Sequence, residues 1–145
     1  MHPKQIVEDF QKMGATFAME GNELYLNNSD QVSDEMKVFA KSFKSRLVMY
    51  LQGNYTDAKH NVYQTIDKLI DYMKNTQIEN QTVIDRWLSH DQLALDKTVK
   101  LMQSYRDNGW TNFDEPVANF ENKTTEELAA ELYNRAMDFV RGVAS

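Results

Sequence analysis

The chain has 145 residues, of which 41% are apolar and 11% aromatic, and it carries a formal net charge of −6 with no cysteine. That length suits one domain, or one domain with a small appended unit, and folding at this size removes roughly 68–70% of the unfolded surface from water, so no metal or disulfide staple is required. Lack of cysteine excludes disulfides, thiolate metal sites and cysteine nucleophiles, and no apolar run approaches the ~20 residues of a membrane-crossing helix.

The N-terminus shows no signal-peptide apolar region, so a cytoplasmic location is expected. Only 2 prolines and 5 glycines interrupt the chain, which favours long helices. Residues 3–13 read as a short helix: Pro3 suits a first helical position, Ile6, Phe10 and Met13 share a face beside Val7, and Gly14 is a ready stop. A hairpin follows, in which Ala15–Glu20 and Glu23–Asn27 flank Gly21-Asn22, a dipeptide that tolerates a primed turn. Phe17 and Met19 alternate on one strand, Leu24 and Leu26 on the other. Two strands alone are marginal in water, so the ribbon must pack on a helix or pair again.

From Val32 to Gly53 the spacing predicts one long helix. Val32, Met36, Phe39, Phe43, Leu47 and Tyr50 recur at steps of three and four, Ser33 stands at the N-cap position, and Gly53 follows the last apolar residue. Lys37, Lys41 and Lys44, joined by Arg46, form a second stripe. Asp34 and Glu35 lie about one turn before these lysines, so the stripe also reads as a solvated, self-paired flank.

Beyond Gly53 the period stays helical. Tyr55, Ala58, Val62, Ile66, Leu69 and Met73 define a face that Tyr63 and Ile70 widen, starting from Asn54 as a cap, and 75–81 reads as a polar turn. Val83, Ile84, Trp87 and Leu88 start another helix, with a break expected at Ser89, where Ser89-His90-Asp91-Gln92 has the form of a capping box. Leu95, Val99, Met102 and Tyr105 carry the next face to Asn108-Gly109. Residues 109–123 are irregular but hold Trp110, Phe113, Val117 and Phe120, the composition of a loop folded back over a core. Thr124-Thr125-Glu126-Glu127 forms a second capping box, and Leu128, Leu132, Ala136, Phe139 and Val143 define a final helix. The expectation is a mainly α (α+β) protein: residues 1–53 form an αββα unit and 54–145 a bundle of three to four helices, which can pack with the first unit as one globule.

Chemical motifs are sparse. Asp57 and His60 have the i, i+3 spacing of carboxylate–imidazole metal sites in bundles, but such sites need a second motif and further carboxylates. Asp57 is better placed to complement a helix N-terminus, and no metal or cofactor is expected. Ser89, His90 and Asp91 are neighbours in sequence, which does not present a hydrolytic triad, and capping accounts for them. Nucleophile elbows, phosphate-cradling glycine loops and dinucleotide fingerprints are missing, so catalysis is not expected.

Residues 1–53 resemble the N-terminal docking domains of the TubC type found at the ends of modular peptide and polyketide synthetases. The residues that carry the resemblance are Ile6, Phe10, Gly14, Phe17, Gly21, Leu24, Leu26, the polar gap 27–31, Lys41, Lys44, Leu47 and Leu51. The resemblance implies that the hairpin edge receives a short peptide of a partner protein as an added strand, with nearby charges choosing the partner. By position it singles out Glu20, Glu23 and Tyr25 on the ribbon and Lys37, Lys41 and Lys44 on the helix. This chain departs from the synthetases after residue 53: it has no condensation-type His-His-x-x-x-Asp-Gly stretch and only about 90 further residues. Similar domains also occur beside replication proteins of phages and mobile elements, which suits a small accessory protein.

Charge gives two further readings. Residues 1–53 hold six Lys/Arg against seven Asp/Glu, and 54–145 hold ten against fifteen. Asp107, Asp114, Glu115, Glu121, Glu126, Glu127 and Glu131 could act as a DNA mimic that inhibits a nucleic-acid enzyme. Alternatively, Lys37, Lys41 and Lys44 could contact phosphates in a replication accessory protein, though the acidic excess disfavours non-specific nucleic-acid binding. The wide apolar stripes are also compatible with a homodimer. The leading expectation is a non-enzymatic protein–protein interaction module.

Overall fold

The computed structural model describes residues 1–74 and 81–142. Among them are seven α-helices and one two-stranded antiparallel hairpin, a mainly α (α+β) fold. The chain divides into two compact units, 1–60 and 61–145, so the first extends past Gly53 to His60. The polar turn expected over 75–81 lies, except for Gln81, outside the described residues, as does Val143. No helix among the described residues is long and apolar enough to cross a membrane.

In the first unit, α1 (Pro3–Lys12) begins with Pro3 in its first turn and buries Ile6 and Phe10, whereas Met13 lies outside the helix and is exposed. Gly14 follows with φ 95°, a left-handed value that a residue without Cβ adopts easily. Strands β1 (Thr16–Glu20) and β2 (Glu23–Asn27) pair from Thr16↔Asn27 to Glu20↔Glu23 across a two-residue turn. Gly21 alone in that turn has positive φ, 63°, the pattern of type II′ rather than I′. Both α1 and α3 (Lys44–Leu51) pack on β1, and the Phe10 and Phe17 rings lie 4.8 Å apart.

The single helix expected over Val32–Gly53 is two helices, α2 (Asp34–Ser42) and α3. Ser33 does cap the first, accepting the Met36 amide at 3.3 Å. The break falls at Phe43, with φ −116° and ψ 18°. Just before it, the Ser42 hydroxyl donates to the Phe39 carbonyl at 2.6 Å, a side-chain bond of the kind that bends helices. The break also rotates the buried face: Ala40, Phe43 and Leu47 are buried, while Phe39 is exposed.

In the second unit the core is contiguous and joins Ile66, Leu69 and Ile70 of α4 (Asp57–Met73) to residues of three further helices. Thr56, not Asn54, closes the start of α4, its hydroxyl accepting the Lys59 amide at 3.1 Å. The expected helix break occurs, but at Asp91: α5 (Gln81–His90) ends there and α6 (Gln92–Asp107) starts, with the Asp91 carboxylate accepting the Ala94 amide at 3.2 Å. Ser89 instead bonds back to the Asp85 carbonyl within α5. The loop after α6 does fold over the core. Trp110 is 0% exposed and donates from Nε1 to the Glu115 carbonyl at 2.8 Å, and a 3₁₀ turn at Val117–Phe120 buries Val117 and Ala118. Phe113 alone of that loop's large apolar residues is exposed, with its ring edge-on to Trp110 at 5.0 Å. Helix α7 (Lys123–Val140) is capped by Asn122 reciprocally with Thr125, two residues earlier than the box expected at Thr124–Glu127, and packs along α6.

Candidate functional site

The pairing register fixes what the hairpin offers. A pair flanking a two-residue turn exchanges both hydrogen bonds, and such pairs alternate with non-bonded ones. Counting back from Glu20↔Glu23, Tyr25 and Asn27 bond inward to β1, and the amides and carbonyls of Leu24 and Leu26 turn to the outer edge of β2. No third strand covers that edge among the described residues.

Beside this edge lies an open groove of about 280 Å³. Its floor is apolar, made by Phe17, Leu24 and Leu26 from the inward face of the hairpin and by Ala40 from α2. Its rim carries Tyr25, which is half exposed, and the ammonium-bearing side chains of Lys37 and Lys41 from α2 and Lys44 from α3. Lys37 and Lys41 are four apart and share a helical face, and the chain continues past the break at Phe43 so that Lys44 lines the same groove. Lys37 pairs with Asp34 at 3.7 Å, but the Asp34 side chain is fully exposed, so the contact is strongly screened.

Of the six site residues named from the sequence, Tyr25, Lys37, Lys41 and Lys44 thus line one groove. Glu20 and Glu23 do not: they face each other across the tip of the hairpin, both exposed. Arg46 does not extend the basic stripe. It is 2% exposed, with its guanidinium 5.8 Å from the Phe43 ring centroid, so the break at Phe43 has turned it into the interior. Phe17, Leu24, Leu26 and Ala40, read from the sequence only as core-facing or not at all, are the missed members. For the three strand residues the signal is the alternation on both strands, which marks a face but not whether a neighbour fills the space above it; Ala40, on α2, carries no such signal.

The other candidates are drawn into local contacts. Asp57 lies 3.6 Å from His2, and His60 bonds to the Tyr55 hydroxyl. His90 bonds to the Arg86 carbonyl of its own helix, so Ser89, His90 and Asp91 each serve a different partner. Within the acidic stretch, Glu131 accepts from Lys97 at 2.7 Å, Glu126 from the Tyr63 hydroxyl at 3.1 Å and Asp107 from Gln103 at 3.0 Å. No group of three or more His, Asp or Glu suited to a metal ion occurs among the described residues. No protein-family profile, curated protein or solved structure matches the chain.

Proposed function

We propose that this is a non-enzymatic, cytoplasmic interaction module whose first unit takes up an extended acidic segment of a partner protein as a third strand on β2. The observation that carries the reading is the coincidence of an unpaired strand edge at Leu24 and Leu26 with an apolar groove rimmed by Lys37, Lys41 and Lys44. Strand addition supplies affinity through main-chain bonds, and the groove supplies selectivity through alternate side chains. Such a segment carries both its apolar side chains and its carboxylates at the alternate positions that face inward, the first to lie on Phe17, Leu24 and Leu26 and the second to meet the lysines at the rim of the same groove. Glu20 and Glu23 repel an acidic residue at the turn end, which favours one threading direction.

Selection from a displayed library of random extended peptides tests this, with the triple variant K37E/K41E/K44E as counter-selection. Enrichment of sequences that combine apolar and acidic residues at every second position, and that the variant loses, is the expected result. Enriched peptides that bind the variant equally well, or that are predominantly basic, would overturn the reading.

A further inference from the structure

Four rings from separate parts of the first unit meet where α1 begins. His2 stands 4.5 Å, centroid to centroid, from His60, 5.2 Å from Tyr55 and 6.0 Å from Tyr50. His2 is also the N-cap of α1: its Nδ1 accepts the Lys4 amide at 3.0 Å, the role usually taken by Ser, Thr, Asp or Asn. Only a neutral imidazole with its proton on Nε2 has a lone pair at Nδ1 to offer. Nε2 then faces Asp57 Oδ1 at 3.6 Å, and His60 Nδ1 lies 3.0 Å from the Tyr55 hydroxyl.

We propose that His2 and His60 form an acid-sensitive latch that holds the start of α1 against the first turn of α4 while His60 is neutral and loosens it when His60 takes up a proton. The His2 ring caps α1 only while it stays seated beside His60, and protonating His60 places a cation in that enclosed contact, 4.5 Å away. The surrounding charges oppose the added proton: Arg46 from α3 and the α-amino group of Met1 both act on His60 as cations. Asp57 on α4 opposes them, but its side chain is fully exposed and therefore screened. Lys59, next along α4, is directed to the Met49 sulfur at 3.5 Å. Tyr50 and Tyr55 complete the surroundings as neutral rings.

Burial first, then the His2 imidazole, holds His60 below the usual imidazole range. The sign follows. An unfolded histidine titrates near ~6.5, so as the pH falls below that value the unfolded chain binds more protons than the folded one and stability drops. Because α1 packs on α3 and β1, opening it weakens the support of the hairpin.

Amide exchange read by NMR between pH 7.5 and 5.5, corrected for intrinsic rates, tests the latch at Gln5, Ile6 and Val7. Loss of one N-cap corresponds to about fivefold more frequent opening of this turn at pH 5.5. His2→Asn retains a capping side chain that does not titrate, and with His60→Phe it should abolish the pH response while α1 stays formed at pH 7.5. An equal opening frequency at both pH values in the unmodified protein would refute the latch, as would a response that persists in the double variant.

Discussion

Arg135 reaches from α7 to the carboxylate of Asp91, with Nε 2.9 Å from Oδ2 and Nη2 2.6 Å from Oδ1, and the same carboxylate caps α6 and receives the Trp87 indole N–H at 3.3 Å. One residue thereby ends α5, starts α6 and ties both to α7. Removing it should cost more than removing its partner. Asp91→Ala loses the cap and the ion pair and is expected to destabilise by about 2 kcal/mol, whereas Arg135→Ala, whose side chain is more than a third exposed, should cost about 1 kcal/mol. The two share an interaction, so the double variant should fall well short of their sum. Urea unfolding of the set measures this, and strict additivity would contradict the shared contact.

The same pair sets an acid limit. Hydrogen bonding from Arg135, ahead of the Ala94 amide and the Trp87 indole, holds the Asp91 carboxyl below the usual carboxylate range even though burial pushes it up. A depressed folded-state value means that the contribution is fully present above the unfolded value of ~3.9 and is lost as pH falls through the folded value. Unfolding midpoints measured from pH 5 down to pH 2.5 should therefore fall less steeply in Asp91→Asn than in the unmodified protein. Equal slopes would show that Asp91 titrates alike in both states.

Trp110 fixes the loop after α6. Its side chain is fully enclosed, meets Tyr105 edge-on at 6.0 Å and donates to the Glu115 carbonyl. Trp110→Ala should cost about 3–5 kcal/mol through the cavity and the orphaned carbonyl, and Trp110→Phe clearly less. Denaturant titration of both variants checks the ranking, and a cost for Trp110→Ala under 1 kcal/mol, within the range of ordinary surface changes, would contradict a core role.

The hairpin turn gives a cleaner backbone test. A Cβ on Gly21 meets nothing within 4 Å, so the cost of Gly21→Ala comes from φ 63° alone and should be about 1 kcal/mol. Thermal unfolding compares the two proteins; alanine equal to glycine would mean the turn has another conformation.

The fold was largely legible because its elements follow apolar periodicity and its stops fall on glycine. What escaped the reading had no periodic signal. Apolar spacing at three and four continues through Phe43, and neither glycine nor proline marks the break there, so one helix was expected where Ser42 bends the chain into two. That bend moved Phe39 outward and Arg46 inward, reversing both assignments. Caps were displaced because several polar residues compete at each helix start: Thr56 prevails over Asn54, Asp91 over Ser89 and Asn122 over Thr124. His2 carries no cap signal in the sequence, because imidazole is not a customary capping group. At the groove, helical spacing placed Lys37, Lys41 and Lys44 on one stripe, but the apolar floor depends on the gap between two elements distant in sequence.

Adding a synthetic peptide of repeated Val-Thr-Glu-Thr, which puts valine and glutamate on one face of a strand, to the 15N-labelled protein tests strand capture most directly. The amides of Leu24 and Leu26 should shift and gain exchange protection, the side chains of Lys37, Lys41 and Lys44 should respond with them, and K37E/K41E/K44E should abolish the effect while the free variant keeps the dispersed amide spectrum of a folded protein. Unchanged Leu24 and Leu26 amides at peptide saturation, or shifts confined to residues 61–142, would contradict docking on β2.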